Sequence, residues 1–341
     1  MVFPCKRGVK KKAGFEGWFW GWGNGELRGM SVRIDSLTIT AEIKAKAQKL
    51  GFDLVGVAAA TASARREYFR EWLESGMGGE MGYLSGRFDE RTDPSVYVPG
   101  AMSVVCVGMN YFVPADAPPP GVARVARYAL GEDYHEVIKS RLFALADFVR
   151  EICPQAKTRC SVDTAPVMEK DLAARAGVGW LGKNTCIINE KIGSWILLGE
   201  VVTTAQLSVD EPAVDRCGSC KRCIEACPTG AITEPYQLDA RKCISYLTIE
   251  HRGEISAELA GKMGEWIFGC DVCQEVCPWN REPPSAADPA LRPRCLGLNP
   301  GDVLNWTEDD YRRDLKGSAM KRVKLPMLKR NAQIVAENPK K

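Results

Sequence analysis

The sequence predicts an α+β fold: a mixed helix–strand domain followed by a smaller ferredoxin-like domain. Two observations carry this. The first is the paired cysteine runs of residues 217–278. The second is the irregular mixture of apolar strands and amphipathic helices before them, which suits an α+β layer domain. The 341 residues are 45% hydrophobic, enough for a sizeable core.

The cysteine runs organise the chain. Cys217-Gly-Ser-Cys220-Lys-Arg-Cys223-Ile-Glu-Ala-Cys227-Pro228 has the C-x2-C-x2-C-x3-C-P spacing of bacterial ferredoxins. Cys270-Asp-Val-Cys273-Gln-Glu-Val-Cys277-Pro278 answers it, with Cys243 between. Three close thiolates wrap one iron–sulfur cube, and the Pro-flanked fourth serves a neighbouring one. The spacing therefore pairs Cys217, Cys220 and Cys223 with Cys277, and Cys270, Cys273 and Cys243 with Cys227. Structural zinc prefers two pairs with a longer spacer. A disulfide framework suits small secreted chains, and no secretory signal is visible. The other six cysteines are scattered and read as small buried hydrophobes.

In chain order, residues 1–29 stand apart. Basic residues are followed by Trp18, Trp20 and Trp22 among alternating glycines. A nucleic-acid arm is one reading; a disordered extension, with Met30 as an alternative start, is simpler. Residues 30–209 form the first domain. A helix is expected over 39–50, capped by Thr40 and stopped by Gly51. Phe52 to Ala58 reads as a strand and residues 63–75 as a helix. Ala101 to Met109 is a buried strand, Pro114 to Pro120 a loop, and Val122 to Tyr128 extended. Asp133-Tyr-His135 opens an amphipathic helix to about Ile152. Cys160 to Asp163 ends a strand. Thr164-Ala-Pro166 opens a helix that Gly177 closes, with Asp163 as its N-cap. Gly179 to Asn184 is a loop. Thr185 to Asn189 and Gly193 to Thr203 read as a strand pair.

Residues 210–283 are the cysteine domain, and 284–341 a basic C-terminal segment. Its arginines and lysines (Arg312, Arg313, Arg322 and Arg330 among them) read as a solvated face or, more sharply, a phosphate-binding surface. The net charge of +3 names no partner. No apolar run reaches the ~18 residues a spanning helix needs.

Two motifs mislead. Gly177-Val-Gly-Trp-Leu-Gly182-Lys183-Asn184 nearly fits a P-loop, but Asn184 replaces the magnesium-binding hydroxyl and a helix precedes it. Asp133-Tyr-His135 begins like the D-x-H-x-x-G cobalt-ligand box but lacks its glycine. No His–metal bond is expected, and His135 reads as a surface or capping residue.

The segment Val162-Asp163-Thr-Ala-Pro-Val-Met-Glu169-Lys-Asp-Leu-Ala-Ala-Arg175-Ala-Gly-Val-Gly179-Trp-Leu-Gly182-Lys183-Asn184-Thr is similar to the epoxyqueuosine reductases. So are Arg127-Tyr-Ala-Leu-Gly-Glu-Asp-Tyr134-His135, Cys243-Ile-Ser-Tyr-Leu-Thr-Ile-Glu250 and the cysteine spacing. The resemblance spans roughly 35–335. It implies a nitroreductase-like cobalamin domain joined to a ferredoxin-like domain with two 4Fe-4S clusters, and kinship with reductive dehalogenases. It implies reduction of epoxyqueuosine to queuosine at the tRNA wobble position (GUN anticodons), the last step of queuosine biosynthesis. It also implies base-off cobalamin and Asp163 as proton donor. Asn184, Ile187, Gly199 and Ser245, on the matching loop, strands and post-Cys243 segment, become candidates for cobalamin contact. A cytoplasmic monomer served by an unidentified donor, such as flavodoxin or ferredoxin, is expected. The HEAT-like helices of many members have no counterpart here, which leaves tRNA contact to the core and the basic segment. The alternatives are a dehalogenase-like reductase of a small molecule and a plain ferredoxin-type electron carrier. Against the first stands the missing twin-arginine signal; against the second, the whole domain preceding the clusters.

Overall fold

The computed structural model describes residues 35–114 and 117–338; the N-terminal extension and Cys5 lie outside them. The elements follow in chain order. Helix α1 (Ser36–Lys49), strand β1 (Leu54–Ala59) and helices α2 (Arg66–Glu74), α3 (Phe88–Thr92) and α4 (Pro94–Tyr97) come first. Then come β2 (Ser103–Asn110), β3 (Arg124–Val125), α5 (Tyr134–Ile152), β4 (Thr158–Ser161), α6 (Glu169–Arg175), β5 (Trp180–Leu181), β6 (Ile187–Ile188) and β7 (Ile196–Thr203). The cysteine region holds α7 (Arg222–Glu225), β8 (Ile232–Glu234), β9 (Gln237–Leu238), α8 (Ile244–Ile249), α9 (Ala257–Lys262), β10 (Trp266–Phe268) and α10 (Val272–Glu275). Helices α11 (Pro300–Asn305), α12 (Glu308–Asp314) and α13 (Leu325–Glu337) follow.

The central sheet is antiparallel, in the order β1-β2-β7-β4. Every residue of β2 is buried, because successive side chains point to opposite faces and both faces are covered. Val105, Val107 and Met109 meet Ile43 and Ala47 of α1 and Ile138, Leu142 and Leu145 of α5. Val104 and Cys106 meet Leu172 and Ala173 of α6. Two glycines permit this closeness. A Cβ on Gly56 would lie 1.9 Å from the Ala176 carbonyl oxygen, and one on Gly199 2.9 Å from Ile138 and Leu142.

Several expected boundaries shift. Asp35, not Thr40, caps α1, accepting from the Thr38 N–H at 2.7 Å. Thr40 is already inside the helix and donates to the Ser36 carbonyl. The expected strand pair shrinks to one antiparallel bridge, Asn189 with Gly193: β6 pairs with β5, a segment read as loop, while β7 pairs with β2 and β4. Residues 88–97, read without helix, carry α3 and α4, the latter capped by Asp93 with Pro94 in its first turn.

The C-terminal segment is folded into the body. Leu315, Val323, Leu328 and Ala332 pack on Leu130, Ile267 and Phe268. Asn331 is fully buried and donates to the Thr248 and Ile267 carbonyls. Arg330 donates to the carbonyls of Leu247, His251 and Gly253. Those carbonyls at and just past the end of α8 are what a C-terminal cation satisfies. Arg330 is therefore spent inside the fold rather than offered to phosphate. No described helix is long and apolar enough to cross a membrane.

Candidate functional site

Asp163 stands just past the end of β4. Its φ of +53° is left-handed, unusual for a residue with a Cβ. Such a conformation costs on the order of 1–3 kcal/mol and persists where neighbours over-determine it. Here the Glu169 carboxylate accepts the Asp163 backbone N–H. That bond corrects the expected N-cap: the turn from Val162 to Met168 is irregular, and α6 begins at Glu169, three residues beyond Pro166. Asp163 caps nothing.

Its side chain turns to His135 instead. Asp133 caps α5, as expected, accepting from the His135 N–H, and its Oδ1 also takes the ring Nδ1 at 2.7 Å. That bond turns Nε2 towards Asp163 Oδ2, 3.3 Å away. Burial pulls the imidazolium down, but the hydrogen bonds and charges of Asp133 and Asp163 outweigh it and push His135 up to about 9. The His135 hydrogen bond holds Asp163 below the usual carboxylate range despite burial, helped by Arg322 and Lys170. The Asp163 side chain keeps 61% of its surface open although protein rings it on most sides. At neutral pH the proton therefore rests on His135, and Asp163 is a carboxylate with an open face.

Aromatic rings frame this pair. Tyr134 stacks on His135 with centroids 4.0 Å apart, and Tyr128 meets Tyr134 edge-on. Burial, then the Asp163 charge, raises both phenols, so they remain donors. On the outer side the Tyr83 ring is half exposed, with the Arg322 guanidinium over it at 5.8 Å. Glu250 holds Arg322 in a two-point grip at 3.0 and 2.9 Å. The expected surface role of His135 is corrected: its ring is mostly buried, held between the Asp133 and Asp163 carboxylates.

The eight cysteines sort into two groups. Burial pushes the Cys277 thiol up to about 11, and the nearby Cys217, Cys223 and Cys220 add to the rise. Cys243 and Cys227 likewise add to the burial that raises Cys270 to about 12. Cys273 feels both Cys243 and Cys270. Among the described residues, no three side chains close on a single-ion site. A four-iron cube needs its thiolates spread around it, which suits these two groups.

The P-loop-like lysine serves the first group. Lys183 donates to the carbonyls of Gly218 and Cys220, the latter at 3.0 Å, and ties the glycine loop to the cysteine loop. The four candidate cofactor contacts separate. Ser245 lies beside the Cys243 thiol. Asn184 is buried; its Oδ1 accepts from the Cys186 N–H, and its Nδ2 reaches the Cys273 carbonyl only at 3.4 Å. Ile187 is in the apolar layer under α6. Gly199 faces α5 through the sheet. Asn184 and Ser245 thus border the second cysteine group, and Ile187 and Gly199 do not. The weakly used Asn184 donor fits a cofactor edged by carboxamides, as cobalamin is.

Three side chains escaped the sequence reading. The Cys186 thiol lies beside that of Cys273. Glu169 and Glu200 lie side by side behind Asp163. Glu200 has a readable signal, a lone carboxylate inside an apolar strand; Cys186 has none.

Residues 91–164 match the family described as "Epoxyqueuosine reductase QueG, DUF1730", and residues 216–280 the "4Fe-4S double cluster binding domain". The chain is 41% identical over 292 residues to the epoxyqueuosine reductase of Cellulophaga algicola, covering 85% of this chain and 95% of that protein. It superposes on the Bacillus subtilis epoxyqueuosine reductase with a TM-score of 0.81 at 27% identity, over 86% of this chain and 80% of the other. That structure has its aspartate catalytic loop swung out of the active site. An epoxyqueuosine reductase bound to an epoxyqueuosine-modified tRNA-Tyr stem loop matches with a TM-score of 0.80 at 28% identity, over the same shares of the two chains.

Proposed function

The chain belongs to the epoxyqueuosine reductase family, and on that premise we propose that Asp163 and His135 are the pair through which it delivers protons to the epoxide. The reaction reduces epoxyqueuosine in tRNA to queuosine. Two electrons and two protons enter, both carbon–oxygen bonds of the epoxide break, an alkene forms, and the oxygen leaves as water.

One observation carries the assignment: an open Asp163 carboxylate 3.3 Å from an imidazole that a second carboxylate holds protonated. An epoxide oxygen leaving as alkoxide is a strong base, and a placed acid lowers that barrier by about 10²–10⁴-fold in rate. Asp163 presents its open face to the substrate oxygen. The His135 Nε2 proton moves to the Asp163 carboxylate, which passes it to the substrate oxygen; water returns a proton to His135 for the second transfer, and Asp133 steadies the ring. Tyr134 and Tyr128 wall the imidazole.

Cys217, Cys220, Cys223 and Cys277 would hold one 4Fe-4S cluster, and Cys227, Cys243, Cys270 and Cys273 the other. Residues 210–283 then form an electron-supplying domain against the catalytic residues of 30–209. Cobalamin, when bound, would supply a low-valent metal centre for electron transfer to the epoxide carbon; Asn184 and Ser245 would hold its edge. The exposed Tyr83 ring beneath Arg322 offers a stacking and charged face for the anticodon nucleotides.

The test is an anaerobic assay on tRNA from a strain lacking the enzyme, with reconstituted protein and a reductant. Queuosine should replace epoxyqueuosine in digested nucleosides. Asp163→Asn should keep its cluster absorbance and lose at least about 10²-fold in turnover. Epoxyqueuosine left untouched by the wild-type protein defeats the function, and full turnover by the variant defeats the role of Asp163.

A further inference from the structure

Behind the Asp163 turn, Glu200 sits in the middle of β7 with no exposed surface. It lies in a cross-sheet row with Cys106 on one side and Ser161 on the other. That face of the sheet is covered by α6, whose first residue is Glu169. Neither Glu200 oxygen meets a conventional donor, and the Ser161 hydroxyl is also without a partner. The side chains set against Glu200 are the Glu169 carboxyl and the Ser161 hydroxyl.

Two ionised carboxylates in contact and out of water would repel strongly, and burying even one unpaired charge is costly. Two carboxyls facing one another are satisfied when a single proton lies between them, one O–H donating to the other's oxygen. Burial raises both groups; the Asp163 charge adds to the rise of Glu169, and the Glu169 charge and contact add to that of Glu200. The surrounding groups do not supply a cation in place of the proton. Cys106 from β2 is a buried thiol, Tyr134 from α5 a phenol, and Asp163 a further negative charge that raises Glu169. Lys170 and Arg91 act on Glu169 or its field from a distance and make no hydrogen bond to the pair.

We propose that Glu169 and Glu200 share one proton across this buried contact, and that the shared proton keeps Glu169 in place to hold the Asp163 N–H, and hence the Asp163 side chain, at His135. The pair positions Asp163; neither member touches substrate. Loss of the shared proton sets two charges against each other, drives Glu169 outward, and frees the left-handed turn that its carboxylate holds. The inference rests on the proton-delivery reading of Asp163 for its purpose, but the shared proton is detectable without turnover.

Two measurements test it. Infrared spectra of the cluster-loaded protein near neutral pH should contain the carbonyl band of a buried protonated carboxylic acid. The band should persist in Asp163→Asn and vanish in both Glu200→Gln and Glu169→Gln. Absence of the band in the wild type, or its survival in both glutamine variants, overturns the proposal. The second measurement is the pH profile. A glutamine at 200 donates permanently to Glu169, so the contact no longer breaks at high pH. The alkaline limb of kcat should then move up towards that of His135, and the ratio of turnover at pH 8 to that at pH 6 should rise by about threefold or more over wild type. An unchanged profile overturns the positioning role. Glu169→Gln, whose amide oxygen can still accept the Asp163 N–H, provides a second variant should Glu200→Gln fold poorly. Full turnover in Asp163→Asn would defeat the proton-donor reading alone, because the infrared band answers separately.

Discussion

His135 Nε2 faces Asp163 Oδ2 at 3.3 Å, while the opposite ring nitrogen is held by Asp133 at 2.7 Å. An imidazole between two carboxylates stores a proton at neutral pH. Its two neighbours differ in exposure: the Asp133 side chain is 30% exposed and that of Asp163 61%. The Asp163 side is therefore the more open path for the proton. Asp163 is consequently a conduit as much as an acid, since its own affinity for the proton is lowered by the ring beside it.

His135 should govern both rate and stability at high pH. Its folded-state value, about 9, lies above its ordinary 6.5. The stabilisation is thus fully present below pH 6.5 and is lost as pH rises through 9. Its ceiling is about 3 kcal/mol, at roughly 1.4 kcal/mol for each tenfold gain in proton affinity, and is shared with both aspartates. His135→Gln should flatten this dependence in denaturant titrations at pH 6 and pH 9 and cut kcat by about 10²-fold or more. A variant that stays as pH-sensitive as wild type would place the stability change elsewhere.

Much of this arrangement was legible in the residues. Asp133 before an amphipathic run marks the start of α5, and the cysteine runs mark the region that matches the double-cluster domain. Asp163 was harder. Asp-Thr-Ala-Pro reads locally as a cap with proline in the first turn, and nothing local reveals that Glu169 will take the Asp163 N–H and delay the helix. Asp35 and Thr40 posed the same problem, two side chains competent to cap one helix. Glu200 lies in Gly-Glu-Val-Val, where alternation says that it faces one side of the sheet but not that α6 will seal that side. Arg330 reads as part of a charged surface, because the carbonyls that capture it lie about 80 positions earlier.

Gly56→Ala tests how tightly α6 sets the site. The added methyl would lie 1.9 Å from the Ala176 carbonyl oxygen, a backbone atom with no rotamer to yield. Overpacking of this kind costs roughly 1–3 kcal/mol or more. The shift of α6 carries Glu169 with it, so kcat should fall along with the unfolding midpoint. An alanine variant with wild-type stability and rate would mean that the helix moves without cost.

Lys183 should matter to the first cysteine group rather than to substrate. Its ammonium is nearly buried and donates to the Gly218 and Cys220 carbonyls. Lys183→Met keeps the stem but leaves both carbonyls without this donor, a loss of about 1–3 kcal/mol. Visible absorbance should bleach several times faster in air, with KM for tRNA unchanged. A rise in KM with normal cluster lifetime would reassign the lysine to substrate binding.

Arg322 lies between the acid site and the proposed tRNA face at Tyr83. Its guanidinium is gripped by Glu250, lies over the exposed Tyr83 ring and helps hold Asp163 ionised. More than half of its side chain remains open. A cation held so firmly loses little freedom when it meets a phosphate or a base face, so its contribution to binding should be large for a single surface residue. Arg322→Ala should weaken tRNA binding and lower the salt slope of log Kd by about one unit, the signature of one lost phosphate contact. Tyr83→Ala should weaken binding by about 1–3 kcal/mol while leaving the salt slope unchanged, because stacking releases no counterions. If Arg322→Ala leaves both affinity and slope intact, Arg322 serves only Glu250 and Asp163, and its effect should then appear in the pH profile of kcat instead.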